Sequence, residues 1–260
     1  RLAKTCKAFG TQREGDGGLL PLSSALDFTR ALRAVSLTVK VDIHVKRCFY
    51  SDMGLHPETV NRVKDSALFN YQKEDAIWLA SRTKALLANQ MGTGKTPTTL
   101  MALPPAAAGK GLVICPRSVK SVWEDESQKW RPDYKVEILS GRGSLRLPST
   151  GELLICNYDI LPDYTRAQWA EQFNSSKEEG HAFHLIADEC HYLKNGRAKR
   201  TKAFRELARY NKKYEGSVWL LSGTPMMNHP LELWNVLMGA DLEKDAFDSW
   251  PTFVKLFNGR

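Results

Sequence analysis

Five short apolar runs constrain this chain more than any other feature. They are Ala85-Leu86-Leu87-Ala88, Leu112-Val113-Ile114-Cys115, Leu153-Leu154-Ile155-Cys156, His184-Leu185-Ile186-Ala187 and Val218-Trp219-Leu220-Leu221. Each is strand-sized and too short for a core helix. Successive side chains of a strand point to opposite faces, so a strand apolar at every position has to be covered on both. From about Pro57 onward these runs alternate with helix-like stretches. That alternation specifies an α/β fold, a mostly parallel central sheet flanked by helices. Ligands of such sheets gather at the carboxyl ends of the strands. The residues that follow the runs are therefore where chemistry is expected.

After the first run comes Asn89-Gln90-Met91-Gly92-Thr93-Gly94-Lys95-Thr96, a turn predicted to open a helix near Lys95. A phosphate needs backbone N–H groups aimed inward, and glycine lets the chain come close enough to supply them. The helix N-terminus adds partial positive charge. In a strand–turn–helix setting GxGKT reads as a nucleotide-binding P-loop: Lys95 reaches the β- and γ-phosphates and the Thr96 hydroxyl sits on Mg²⁺. Two departures stand out. Asn89 occupies the first glycine position of GxxxxGK[ST], and Pro97 removes a backbone donor near the α-phosphate.

The fourth run ends in Asp188-Glu189-Cys190-His191, a DExH box 93 residues after Lys95. Carboxylates at the mouth of an apolar strand are poorly solvated and call for a purpose. The functional reading gives Asp188 to Mg²⁺ and has Glu189 orient and deprotonate an attacking water; the bland one is a pair of turn acids. The fifth run ends in Ser222-Gly223-Thr224-Pro225, small hydroxyl residues able to sense a γ-phosphate. Beyond it, Asn228 is the expected N-cap and Pro230 the first turn of a helix bearing Leu231, Leu233, Trp234 and Leu237. Ser118 is expected to open another helix, with Val119, Val122, Trp123 and Trp130 on one side.

Charge points to an anionic partner. Net charge is +8, and residues 194–213 alone carry nine bases against Glu206, which accounts for all of it. That run is either a phosphate-binding strip or a solvated helix, since its cations would not share one helical face. Five scattered cysteines without a CxxC pair imply free thiols in a reducing, intracellular setting, nuclear in a eukaryote and cytoplasmic in a bacterium or virus, with no zinc site. No apolar stretch approaches the ~20 residues of a membrane span. Residues 1 to about 18 are polar and Gly-rich and expected to be loosely held. Strict alternation from Val35 to Val45 predicts a half-buried strand. Residues 1–60 thus form a small β-containing accessory segment and 61–260 the main domain. Because the chain begins with Arg1, a trimmed N-terminus is expected.

Together these segments resemble the Swi/Snf-related DNA translocases of helicase superfamily 2. Phe69-Asn70-Tyr71-Gln72 resembles the Q motif and Gln90 to Thr96 motif I. Ile114-Cys115-Pro116-Arg117-Ser118, with Trp123 and Trp130, resembles motif Ia, and Asn157-Tyr158-Asp159 motif Ib. Asp188 to Asn195 is similar to motif II with its Leu-Lys-Asn tail, and Leu221 to Asn228 with Leu233-Trp234 to motif III. The wording of motifs II and III leans towards the annealing-helicase branch. The resemblance covers about residues 66 to 260 and implies a RecA-like first motor lobe. It implies that Gln72 reads adenine with Phe69 or Tyr71 near the base, and that Met91 to Thr96 hold the nucleotide. It further implies that Arg117, Ser118, Asn157 and Lys194 line a nucleic-acid track, with duplex DNA as the expected partner and His191, Ser222 and Thr224 coupling the two sites. Family members carry Asp-Glu where this chain has Asn89-Gln90.

ATP and Mg²⁺ are the expected cofactors. No second cradle follows residue 230, so one lobe of a motor is expected, hydrolysing ATP slowly without a second lobe. Other readings stay open: a strand-separating DNA or RNA helicase lobe, a restriction-type motor, or a non-catalytic ATP-gated binding module with Asn89, Gln90 and Pro97 as signs of decay. A P-loop kinase would need neither the Q-like motif nor the DExH box and Ser-Gly-Thr together.

Overall fold

The computed structural model describes residues 12–14, 17–19, 55–141, 143–175, 182–226 and 229–257. The chain divides into two compact units, residues 1–61 and 62–260. In the first, β1 (Gln12–Glu14) pairs antiparallel with β2 (Gly17–Leu19). These two segments lie within the stretch expected to be loosely held; the rest of that stretch lies outside the described residues. The strand expected at 35–45 lies outside the described residues. Helix α1 spans Pro57–Asp65.

The second unit holds a six-stranded sheet. In sheet order its strands are β3 (Lys84–Leu87), β8 (Ser217–Leu221), β7 (His184–Ala187), β4 (Gly111–Cys115), β6 (Glu152–Asn157) and β5 (Lys135–Ile138), every neighbouring pair parallel. All five apolar runs are strands. The additional strand, β5, reads Lys-Val-Glu-Ile; it flanks the sheet with one side wet and carries no apolar run to betray it.

Helices α2 (Asn70–Ala80), α3 (Lys95–Ala102), α4 (Lys120–Trp130), α5 (Arg166–Ser175), α6 (Lys199–Lys213), α7 (Pro230–Leu237), α8 (Glu243–Phe247) and α9 (Trp250–Leu256) complete the unit. One core gathers Leu112, Ile114, Leu154, Cys156, Leu185, Ala187 and Leu220 from one sheet face against Trp169 and Phe173 of α5 and Phe204 and Leu207 of α6. The alternate residues Val113, Ile155, Ile186 and Trp219 are equally buried, as a doubly covered sheet requires. Helix α3 packs between α2 and α4. Its last carbonyls are capped by the fully buried Arg131, which donates to Leu100 and Leu103 and is paired with Asp133 at 2.9 Å.

Register sets the level at which the strands end. Leu87 lies opposite Leu221, Leu220 opposite Ala187, Ala187 opposite Ile114, and Cys115 opposite Asn157. The loops carrying Gly92, Ser222, Asp188, Arg117 and Tyr158 therefore leave one edge side by side.

Two helix starts differ from expectation. A 3₁₀ turn over Arg117–Val119 precedes α4, whose buried residues are Trp123 and Ser127 while Val122 is exposed. The cap of α7 is His229, whose Nδ1 accepts from the Leu231 amide, one residue after the expected Asn228. No helix among the described residues is long and apolar enough to cross a membrane.

Candidate active site

The loop after β3 owes its shape to Gly92 and Gly94, with φ of 77° and 76°. This left-handed backbone is where glycine carries no steric penalty. At Gly94 a Cβ would collide with Gln72 Nε2. That contact explains the first three elements of the site at once. Gln72 is buried in the first turn of α2; its Oε1 accepts from the Phe69 amide at 2.9 Å and its Nε2 donates to the Thr93 carbonyl at 2.9 Å. Tyr71 hydroxyl reaches the same carbonyl at 3.2 Å. Phe69 and Tyr71 stack at 5.9 Å and are exposed, as is Met91. An apolar, wet shelf thus borders the loop, with Gln72 tying it to the backbone of the cradle.

Lys95 and Thr96 open α3, where the first N–H groups have no intrahelical partner. The Lys95 ammonium donates to the Asn89 and Gln90 carbonyls at 3.0 Å each, folding over the loop. Asn89 in turn donates to Asp75 Oδ2 at 2.6 Å. An amide at this position bonds to an acid of α2, where an Asp would repel it.

Asp188 and Glu189 leave β7 next to this cradle. Asp188 Oδ2 accepts from Trp123 Nε1 at 2.8 Å, its Oδ1 from the Glu189 amide at 2.9 Å, and its carbonyl from the Tyr158 hydroxyl at 2.7 Å. Burial pushes the Asp188 carboxyl above its ordinary range; the Trp123 hydrogen bond works in the opposite sense and Glu189 adds to the rise. Glu189 has φ 48° and ψ 52°. A non-glycine residue in that region costs about 1–2 kcal/mol and marks a held conformation. It brings the Glu189 carboxylate to 3.1 Å from His191 Nδ1, which also lies 3.5 Å from Ser222 Oγ. Ser222 Oγ accepts from the Thr224 amide at 3.1 Å. A Cβ on Gly223 would lie 2.7 Å from Met91 Cγ and 3.5 Å from Lys95 Nζ, so this loop rests directly on the cradle.

Phe69, Tyr71, Gln72, Met91 to Thr96, Asp188, Glu189, His191, Ser222 and Thr224 thus meet at one edge. The residues expected on a nucleic-acid track do not share one situation. Arg117 and Ser118 are exposed beyond β4. Asn157 is buried, its amide 3.5 Å from Asp159. Lys194 pairs with Glu232 at 3.2 Å. The basic run is a helix only from Lys199, and several of its cations are engaged inside the fold: Arg200 donates to the Tyr192 carbonyl, Arg205 to that of Asn235, and Arg209 pairs with Glu206. Trp123 and Tyr158, both buried against Asp188, carry no role in the sequence reading. Trp123 falls in the segment resembling motif Ia and Tyr158 in that resembling motif Ib, but only a buried N–H or O–H seeking a partner could have flagged their individual parts.

A parallel sheet with a glycine cradle, a strand-end acid pair and a hydroxyl loop on one edge defines a RecA-like P-loop domain. Sequence comparison goes further. The SNF2-related domain family matches residues 71–259, and the chain belongs to that family. It is 33% identical over 183 residues to the SWI/SNF-related matrix-associated actin-dependent regulator of chromatin subfamily A-like protein 1 homolog of Caenorhabditis elegans, covering 68% of this chain and 25% of the relative. It is 31% identical over 188 residues to helicase SWR1 of Debaryomyces hansenii, covering 64% and 10%. The SWI2/SNF2 ATPase core of Sulfolobus solfataricus, solved in complex with double-stranded DNA, superposes with a TM-score of 0.54 at 23% identity, over 73% of this chain and 38% of that one. The chain thus spans about a tenth to a quarter of the length of these curated relatives.

Proposed function

We propose that this domain is the ATP-binding lobe of a DNA-dependent ATPase that moves on or remodels duplex DNA. The observation that carries the reading is the convergence of the cradle, Asp188-Glu189 and the Ser222–Thr224 loop on one sheet edge, linked through His191. The backbone amides from Gly92 to Thr96 bind the β- and γ-phosphates and Lys95 neutralises them. Gln72 and the Phe69–Tyr71 shelf hold the adenine. The residues also fit Mg²⁺: Thr96 offers a hydroxyl, and both Asp188 oxygens retain a lone pair after accepting one N–H each. Two protein oxygens plus phosphates suit this hard cation, which supplies charge neutralisation at the transferring phosphoryl.

Glu189 accepts the proton of the attacking water, and His191 fixes its carboxylate. Because His191 also faces Ser222, the hydroxyl loop reports the state of the catalytic base, and Thr224 passes it on. Arg117 and Ser118 contribute to DNA binding through phosphate contacts that position without reading sequence. DNA as partner is supported by the family and by the DNA-bound structural neighbour. A second RecA-like lobe would complete the nucleotide cleft and supply an arginine finger, worth ~10³–10⁵ in rate, so turnover by this lobe alone is slow. An intracellular, reducing location accords with the buried free thiols of Cys115, Cys156 and Cys190.

The test is steady-state ATP turnover with and without duplex DNA, beside Glu189→Gln, with this lobe joined to a second lobe. Turnover that rises with duplex and collapses in the variant is expected. Turnover indifferent to duplex favours an RNA-directed motor, and binding without turnover favours a non-catalytic module.

A further inference from the structure

Asp188 is held by more than the family motif accounts for. Its Oδ2 accepts from Trp123, a residue of a different element 65 positions away, at 2.8 Å. An indole N–H donates only and has no acceptor to offer. It therefore fixes one oxygen of the carboxyl group in one direction. The Glu189 amide holds Oδ1, so the carboxylate plane is fixed from two sides and each oxygen keeps one lone pair for a further partner. Trp123 is itself 1% exposed, which immobilises the ring.

Trp123 lies in the first turn of α4, which follows the 3₁₀ turn Arg117–Val119 directly. That turn carries the exposed Arg117 and Ser118. Helix α4 also packs on α3, the helix that the cradle opens. The exposed Arg117–Ser118 turn and the donor to Asp188 therefore lie on one continuous stretch of chain.

We propose that Trp123 is a positioning residue: its indole N–H aims the Asp188 carboxylate at the metal. This rests on Asp188 being the metal-side acid of the function proposed above. Groups that orient a metal-binding side chain typically contribute 10–100-fold to metal affinity. Because the Glu189 amide still holds the other oxygen, loss of the indole bond is expected at the lower end, about tenfold.

The experiment measures Mn²⁺ binding in the presence of ADP, by loss of the free-ion electron paramagnetic resonance signal, for the chain and three variants. Trp123→Phe keeps an aromatic ring and removes the donor. Replacement of Trp123 by 3-benzothienylalanine removes the N–H at nearly unchanged shape, which separates the hydrogen bond from packing should Trp123→Phe unfold. Asp188→Asn is the reference. The expected result is Mn²⁺ binding weakened about tenfold by the benzothienyl replacement, with ADP affinity in the absence of metal within twofold and the thermal midpoint little changed. Unchanged Mn²⁺ binding, with Asp188→Asn strongly weakened, would overturn the role of Trp123 and leave the proposed function standing. Mn²⁺ binding indifferent to Asp188→Asn would overturn both.

Discussion

At the amino edge of the sheet Asn211 uses its whole amide: Nδ2 donates to the Phe183 and Ser217 carbonyls at 2.9 Å each, and Oδ1 accepts from the Phe183 amide at 3.1 Å. His184 there shares a 2.6 Å hydrogen bond with Ser217 and lies against Trp219, ring centroids 4.7 Å apart. At the carboxyl edge the same strands end in groups whose capacity is only partly used: Asp188 with a lone pair on each oxygen, Glu189 in a left-handed conformation, and a glycine loop beside exposed Phe69 and Met91. One edge is closed on itself; the other is held in shape by neighbours yet left able to bind. Polarity at a strand end therefore does not mark a site, and neither does backbone strain, since Glu215 at the amino edge has φ 68°; unsatisfied capacity does.

Substitutions at the two edges should therefore fail in different currencies. The largest effect expected is on chemistry: Glu189→Gln should lower DNA-stimulated turnover by about 10²–10⁴, the range of a general base, while nucleotide binding persists. Comparable loss of binding would break the contrast. Next in size is Arg131→Met, on the structural side. It removes one donor from each of the Leu100, Leu103 and Pro104 carbonyls, which keep the Leu103 amide, Arg62 and the Tyr134 hydroxyl respectively. Such a loss costs about 1–3 kcal/mol. Thermal or urea unfolding checks this, and a change under 1 kcal/mol would contradict the role of Arg131 as the cap of α3.

The third effect depends on pH. Burial, with the Arg131 cation second, lowers the His184 pKa to about 4 from 6.5. Between these values the unfolded chain takes up a proton that the folded one refuses. Stability is therefore full above about pH 6.5 and falls as pH drops towards 4, by up to about 3 kcal/mol. The buried Glu152, held by Arg146 at about 2, adds its own loss only below its ordinary range of 4.5. Asp188, raised by burial, protonates first in the folded state and opposes the fall, so the His184 variant is what isolates the histidine. Urea denaturation between pH 6.5 and 4.5 should show the slope, and His184→Gln should flatten it. The smallest effect sharpens the comparison most. Glu189→Gly relieves a left-handed non-glycine residue and should stabilise the fold by about 1 kcal/mol while abolishing turnover. Destabilisation by that change would mean that Glu189 is held for folding and not for chemistry.

Most of the fold could be read from the chain, because its apolar runs are too short for core helices and alternate with helix-like stretches. Strand β5 escaped because Lys135 and Glu137 face water and dilute the run. The cradle and the acid pair were readable because their chemistry is local in sequence. Trp123 and Tyr158 were not, since their meaning lies in contacts to Asp188 across 65 and 30 residues. The same holds for the basic run: sequence counts its charges, but Glu232, Tyr192 and Asn235, which engage Lys194, Arg200 and Arg205, come from elsewhere in the fold.

The central claim, that the carboxyl edge binds nucleotide, is tested most directly by titrating the chain with a fluorescent ATP analogue, with and without Mg²⁺, beside Lys95→Ala and Glu189→Gln. Saturable, metal-dependent binding is expected, weakened about tenfold or more by loss of the charge-assisted Lys95 contacts and retained in Glu189→Gln. Binding indifferent to both Mg²⁺ and Lys95→Ala would contradict it.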